Sequence, residues 1–203
     1  MTKFATLEEL SAPLGSVEMG RLVFTRGASH LTIGVDPLTD DLFRARFDGK
    51  VPEVGVDGGT VSVKYRPSFH HQPTGEITLS GRVPWTIRAH WGMSDVTADL
   101  EGLVLRDIEI SGGSSRLEIR LPRPDTSIPV RIGGGASNVE MIRPAGVPVR
   151  VRIGGGASKL AIDDFSVGSA GGKTDWKSSD YDSAEERYDI EIGAGASKVT
   201  VRS

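Results

Sequence analysis

The chain has 203 residues, a formal net charge of −3 and no cysteine, so it is long enough for one hydrophobic core, and we expect a single domain spanning residues 1–203. The slightly acidic balance argues against nucleic-acid binding and against a polybasic membrane-surface protein. The absence of cysteine excludes disulfides and thiolate sites. No signal segment and no apolar run long enough to span a membrane are visible, so we expect a cytoplasmic location and no membrane span.

The first segment with a recognisable pattern is Thr6–Leu10 (TLEEL). Thr6 is a candidate helix N-cap and Glu9 follows three residues later, as in a capping box. We therefore expect a short helical turn here, and we assign residues 1–16 to an N-terminal cap.

A short phrase containing serine then recurs along the chain. It reads RGASHLTI (26–33), WGMSDVTA (91–98), GGSSRLEI (112–119), GGASNVEM (134–141), GGASKLAI (155–162) and GAGASKVTV (193–201). Its serines are Ser29, Ser94, Ser115, Ser137, Ser158 and Ser197, with spacings of 65, 21, 22, 21 and 39 residues. Spacings of 65 and 39 are close to three and two periods, so the sequence repeats about every 21 residues.

Within one period, apolar residues alternate with polar ones on both sides of a glycine turn. Val149, Val151 and Ile153 precede such a turn, and Leu160 and Ile162 follow it. This alternation predicts two short strands per repeat. Stacking successive repeats buries their apolar faces in one column, so the sequence predicts an all-β, single-stranded β-solenoid. A sandwich of hairpins is the alternative, but it does not explain why the turn sequence itself repeats.

The serines of the phrase invite a structural interpretation. Ser137, Ser158 and Ser197 each precede an inward-facing apolar residue by two positions. Period-two counting places them on the inner side of the corner, where a hydroxyl would satisfy a backbone group.

The repeat is interrupted between Asp163 and Asp189, where the sequence is polar and glycine-rich. We interpret residues 163–189 as an irregular insert, a long loop or a short hairpin, that leaves the solenoid and is dispensable for folding. Trp176 and Tyr181 are its candidate partner-binding residues, because both types are common at binding hot spots. The alternative is a mobile loop whose aromatic side chains fold back onto the solenoid. Whether its many carboxylates bind calcium is left open.

The chain stops at SKVTVRS without a closing helix or polar repeat. Because the last coil of a solenoid exposes unpaired backbone and core side chains, we predict a contact surface at Lys198, Val199 and Val201. Its partner is a second copy, giving a homodimer through the C-terminal coil, or another protein's strand. A monomer results if the insert folds over this end.

No motif indicates catalysis, a cofactor or a metal. The run GGGASK (154–159) lacks the GK[ST] ending of a phosphate loop, and no serine lies in a nucleophile elbow. The histidines, His30, His70, His71 and His90, do not form a ligand pattern. The outward columns mix acidic and basic residues, which is typical of a solvated face. We therefore predict a non-enzyme.

Three segments carry a resemblance to a known family: GASHLTI (27–33), LFRARFDGKVPEVGVDGGTVSVKYRP (42–67) and VPVRVRIGGGASKL (147–160). They resemble toastrack domains, the β-solenoid modules of bacterial envelope-stress and antibiotic-response proteins and of adhesin heads. The resemblance covers roughly residues 17–203. It implies a non-catalytic interaction or scaffold module linked to envelope-stress sensing through protein–protein contacts. The alternatives are a self-assembling bactofilin-like structural protein and, third, a carbohydrate-active β-helix enzyme.

Overall fold

The computed structural model describes residues 7–49, 51–65 and 74–203. All regular secondary structure in these ranges is β-strand. The strands form two sheets, of ten and nine strands, that enclose one hydrophobic core. The described residues form no helix that could cross a membrane. The prediction of an all-β solenoid is confirmed.

The spatial order of the strands in each sheet differs from their order along the chain. From one edge to the other, sheet A contains β1 (Leu7–Pro13), β4 (Asp41–Asp48), β7 (Thr74–Ser80), β3 (Ala28–Asp36), β9 (Met93–Asp99), β11 (Ser114–Arg120), β13 (Ala136–Ile142), β19 (Ala196–Arg202), β15 (Ala157–Ile162) and β16 (Phe165–Ala170). Sheet B contains β17 (Thr174–Lys177), β14 (Val149–Ile153), β18 (Arg187–Ile192), β12 (Ser127–Ile132), β10 (Val104–Ile110), β8 (Pro84–Ala89), β2 (Gly20–Phe24), β6 (Thr60–Lys64) and β5 (Glu53–Asp57).

The central strands stack in parallel and in register, so like residues form columns. In sheet A, Leu117 lies between Val96 and Val139, and in sheet B, Ile108 lies between Ile87 and Val130. All of these side chains are buried between the sheets. Each strand contributes its apolar alternate residues to the core, and the polar ones face outward.

Each corner contains one residue in the left-handed region, directly after the serine of the repeated phrase. These residues are His30, Asp95, Arg116, Asn138, Lys159 and Lys198, with φ between 50° and 57°. The left-handed residue interrupts the period of two, so the residue before the serine is buried instead. In the fifth phrase, Ala157 and Leu160 are buried, whereas Ser158 is half-buried and Lys159 exposed.

The prediction that the serines face inward is therefore wrong. Ser137 is exposed, and Ser158 and Ser197 are half-buried on the outer side. Counting by two fails across a residue with positive φ, because that residue turns the next side chain to the other face.

The glycines of the corners are required by close stacking of the coils. A Cβ atom on Gly92 would lie 2.7 Å from the carbonyl oxygen of Gly113, and one on Gly134 would lie 2.7 Å from the amide nitrogen of Gly113. These are backbone atoms that cannot move aside easily. The corner glycines thus permit backbone-to-backbone contact between coils.

The spatial order of the coils differs from their order in the sequence at the C-terminal side. The last coil, β18 and β19, lies between the coil of β12 and β13 and the coil of β14 and β15. The prediction that the C-terminal coil is the exposed end is wrong. The hydrophobic pattern of β19 fits any interior position equally well. The assumption that coils stack in the order of the sequence therefore placed this strand wrongly at the end.

The N-terminal side shows the corresponding rearrangement. The first coil, β2 and β3, lies between the coil of β6 and β7 and the coil of β8 and β9. Residues 7–13 form β1, which pairs antiparallel with β4. The predicted helical turn is wrong for residues 7–10, because Leu10 and Ala12 pack on the core with a period of two. Thr6 lies outside the described residues.

Residues 163–189 contain two strands that continue the sheets, so the interpretation of this segment as an insert that leaves the solenoid is wrong. After a turn at Asp163 and Asp164, β16 pairs antiparallel with β15, and β17 then pairs antiparallel with β14. The segment thus adds one strand to each sheet on the outside of the coil of β14 and β15.

Candidate functional site

The described part of the chain has four outer strands, β1 and β16 in sheet A and β5 and β17 in sheet B. An outer strand presents backbone N–H and C=O groups that another chain can pair with, and charges or proline usually protect it. Three of the four carry such residues, namely Glu9 and Pro13 in β1, Glu53 and Asp57 in β5, and Asp175 and Lys177 in β17. The sequence of β16, FSVGSA, contains no charge and no proline.

The core ends at β16 and β17 with a pair of aromatic rings. Phe165 lies opposite Ile162 in sheet A, and Trp176 lies opposite Val151 in sheet B. The rings of Phe165 and Trp176 stack across the two sheets, with centroids 6.1 Å apart and an interplanar angle of 26°. Both side chains, and that of Val167 beside them, are only half-buried. The last layer of the core is therefore partly open to solvent.

Ion pairs fix β17 and the turn that follows it. The guanidinium of Arg150 donates to both oxygens of Asp175, from Nε over 2.8 Å and from Nη2 over 2.5 Å. This bidentate bond holds the pKa of the Asp175 carboxyl below its ordinary value and raises the pKa of Arg150. The Lys177 ammonium donates to Asp182 and lowers the pKa of that carboxyl in the same way.

The turn after β17 is attached to the solenoid by reciprocal bonds. The amide of Ser178 donates to the carbonyl of Val149 over 2.9 Å, and the amide of Val149 donates to Oγ of Ser178 over 3.0 Å. The Arg187 guanidinium lies 4.7 Å from the ring centroid of Tyr181. It also donates from Nη1 to the Tyr181 carbonyl over 2.9 Å and to that of Ala184 over 3.0 Å. The turn is thus an ordered part of this end.

The structure separates the residues that the sequence analysis selected for partner binding. Trp176 and Tyr181 lie at the same end of the solenoid, but Tyr181 is 6% exposed and packs under Arg187, where burial raises the pKa of its hydroxyl. Lys198 is exposed on β19, two strands in from the outer edge of sheet A. Val199 and Val201, at 1% and 0% exposure, are core residues.

Sequence reasoning missed β16 and its residues Phe165 and Val167. The signal was present in the sequence, because Asp163 and Asp164 separate Ile162 from Phe165 as a two-residue hairpin loop would. Asp163 has φ of 48°, a conformation that aspartate tolerates better than most residues. Alternation of Phe165 and Val167 continues the core pattern across this loop.

Four carboxylates of this segment form ion pairs with basic side chains. The pairs are Asp163 with Arg143, Asp175 with Arg150, Asp182 with Lys177, and Asp189 with Arg152. No group of three or more histidine, aspartate or glutamate side chains suited to a metal occurs among the described residues. His70 and His71 lie outside them.

Comparisons with known proteins agree with this architecture. Residues 8–142 match the family model described as the N-terminal domain of toast_rack, DUF2154. Among solved structures, a "putative cell adhesion protein" from Clostridium sporogenes ATCC 15579 matches with a TM-score of 0.71 and 16% sequence identity, over 98% of this chain and 100% of that chain. At this identity the match shows the fold alone. No curated protein matches the sequence.

The family model spans well over half of the chain, and the solved structure shares its fold over nearly the whole length of both chains. The resemblance noted in the sequence is confirmed by both. The chain belongs to the toastrack family of β-solenoid domains.

Proposed function

We propose that this chain is a non-catalytic interaction module that binds another protein chain at the end formed by β16 and β17. The partner adds a strand to the outer edge of β16. The observation that carries this proposal is the composition of that edge, FSVGSA, which lacks the charges and proline of the other three outer strands.

Two contributions would stabilise the added strand. Backbone hydrogen bonds to the free edge supply affinity, and side chains facing the core supply specificity. The half-buried side chains of Phe165, Val167 and Trp176 would lose their remaining exposure. Burial of apolar surface of this kind stabilises a complex by about 25 cal/mol per Å² before the costs of association are subtracted.

Two carboxylates at this end are unsuited to act as general acids. Asp175 and Asp182 are bonded to Arg150 and Lys177, and these bonds lower their pKa values. A general acid needs a carboxyl whose pKa is raised toward neutrality. Nothing in the described part of the chain favours the carbohydrate-active enzyme over an interaction module.

A bactofilin-like filament would need the two ends of the solenoid to join one another. The opposite end carries Glu9 and Pro13 on β1 and Glu53 and Asp57 on β5, which are residues that oppose strand addition. We therefore prefer a module with one adhesive end. The link to envelope-stress sensing rests on the family resemblance and stays a prediction.

Photo-cross-linking in the native cells tests the proposal. A photoreactive amino acid at Ser166, exposed on β16, should capture a protein chain. The control position is Trp91, which is 66% exposed at a glycine corner away from any outer strand. Capture at 91 without capture at 166 would contradict binding at the β16 edge.

A further inference from the structure

We propose that the chain bound at β16 is a second copy of the same protein, paired antiparallel about a two-fold axis through Ser166. This inference rests on the proposed function and names its partner. The axis runs perpendicular to the sheets, so the β16 strands of the two copies become neighbours and sheet A continues from one copy into the other.

The register follows from the geometry of antiparallel strands. Residues directly opposite one another lie on the same face, so a two-fold axis must pass through a residue rather than between two residues. The longest uninterrupted run of pairs between β16 and β15 covers residues 165–167, because Gly168 and Lys159 are skipped before the pairing resumes at Ser169. Its central residue is Ser166.

An axis through Ser166 produces favourable side-chain pairs in sheet A. Phe165 of each copy lies opposite Val167 of the other, which is an aromatic and β-branched pair of the kind that stabilises sheets. Both side chains face the core and are half-buried in the single copy. The two exposed Ser166 side chains face each other, so no charge meets a like charge.

The same axis also suits sheet B. The stacked rings of Phe165 and Trp176 show that β16 and β17 lie opposite each other at this end. A normal to the sheets through Ser166 therefore passes close to Trp176. About that point, Asp175 of one copy faces Lys177 of the other, so no like charges meet, while within each copy these side chains keep their bonds to Arg150 and Asp182. Both side chains lie on the exposed outer face of β17.

The other end of the solenoid lacks this complementarity. A two-fold axis through Gly55, the central residue of β5, would place Glu53 opposite Asp57 of the second copy, twice. Like charges directly opposite in a sheet are destabilising. Self-pairing is thus suited to β16 and β17 and opposed at β5, which indicates a dimer closed by one interface.

A single cysteine tests the register, because the natural chain has none. Directly opposed residues of antiparallel strands have Cα atoms about 4.5–5.5 Å apart, which lies within the range of disulfide geometry. We expect purified Ser166→Cys to oxidise to a covalent dimer on a non-reducing gel. The matched control is Ser11→Cys, on the exposed face of β1, which should give no covalent dimer on that gel.

A charged edge tests the interface without a cross-link. Light scattering at micromolar concentration should give about twice the 21.6 kDa chain mass for the wild type and the single mass for Ser166→Lys. Since Ser166 is exposed, thermal unfolding of that variant should still be cooperative. The dimer is overturned by a monomeric wild type whose Ser166→Cys variant does not cross-link, by a dimeric Ser166→Lys variant, and by long polymers.

These outcomes are separable from failure of the proposed function. If the photo-cross-link at 166 captures a different protein while the purified chain is monomeric, the module binds at β16 but not to itself. If position 166 captures nothing and the purified chain is monomeric, both proposals fail.

Discussion

The hydroxyl of Ser158 donates a hydrogen bond to that of Ser197 over 3.1 Å, although 39 residues separate the two serines. They occupy equivalent places in adjacent coils, since β15 and β19 pair in register. The coil that ends the sequence thus packs between two coils that were completed earlier. This insertion makes the last strand a structural part of the core.

We expect Val199→Lys to destabilise the protein strongly. Val199 is 1% exposed and lies between Val139 and Leu160 in the apolar column of sheet A. A buried ammonium without a partner typically costs about 3–5 kcal/mol. Urea denaturation followed by circular dichroism measures the loss.

Thr200→Lys is the matched control for that substitution. Thr200 is the next residue of β19 and faces outward near Glu140, so the same charge should change stability by only about 0.5 kcal/mol or less. Equal urea midpoints for the two variants would show that Val199 is not in the core.

A second prediction concerns the contact between corner glycines. Gly134→Ala should destabilise the protein by about 1–3 kcal/mol, the usual cost of overpacking. The added Cβ would meet the amide nitrogen of Gly113 at 2.7 Å and its Cα atom at 2.9 Å. Gly34→Ala is the control, because no atom lies within 4 Å of a Cβ at Gly34. Thermal melting should separate the two, and a wild-type midpoint for Gly134→Ala would contradict the close stacking.

Much of the core could be predicted from the sequence. The alternation around each glycine turn identified inward residues such as Leu160, Val139 and Val151, all of which are buried. Period-two patterns are reliable inside a strand because opposite faces differ in solvent exposure. The pattern failed across Lys159 and the other corner residues. These residues have positive φ without being glycine, so the sequence does not reveal their conformation.

The order of the coils and the true end of the solenoid could not be predicted. Every interior coil presents similar columns of valine, leucine and isoleucine, so the pattern does not specify which coil is the neighbour of β19. The candidate site depends on that order. In the observed order Val199 is an interior residue, whereas Phe165 belongs to the last layer of the core. Of the residues selected from the sequence, only Trp176 lies in that last layer with part of its side chain exposed.

The left-handed corner residues give a third prediction. Lys198 has φ of 53°, a conformation that costs an ordinary L-residue about 1–2 kcal/mol and glycine little. Lys198→Gly should therefore leave the free energy of unfolding unchanged or raise it slightly. Lys198→Val should lower the free energy of unfolding by about 1–2 kcal/mol, because β-branching increases the strain of this conformation. Urea midpoints that rank valine above glycine would exclude the left-handed conformation.

The last prediction is the pH dependence of the bond between Arg150 and Asp175. The bidentate hydrogen bond from Arg150 lowers the pKa of Asp175 in the folded protein. A depressed pKa means that the bond contributes stability above the unfolded-state value, about 3.9 for aspartate, and that this contribution is lost as the pH falls through the lower folded value. Asp175→Asn removes the titrating group while keeping the size of the side chain. Near neutral pH, the urea midpoint of the wild type should therefore be higher than that of the variant. The difference between the two midpoints should shrink below about pH 4. Because both side chains are partly exposed, added salt should also reduce the difference at neutral pH. A difference that stays constant from neutral to acidic pH would show that the substitution acts by another route than the charge of Asp175.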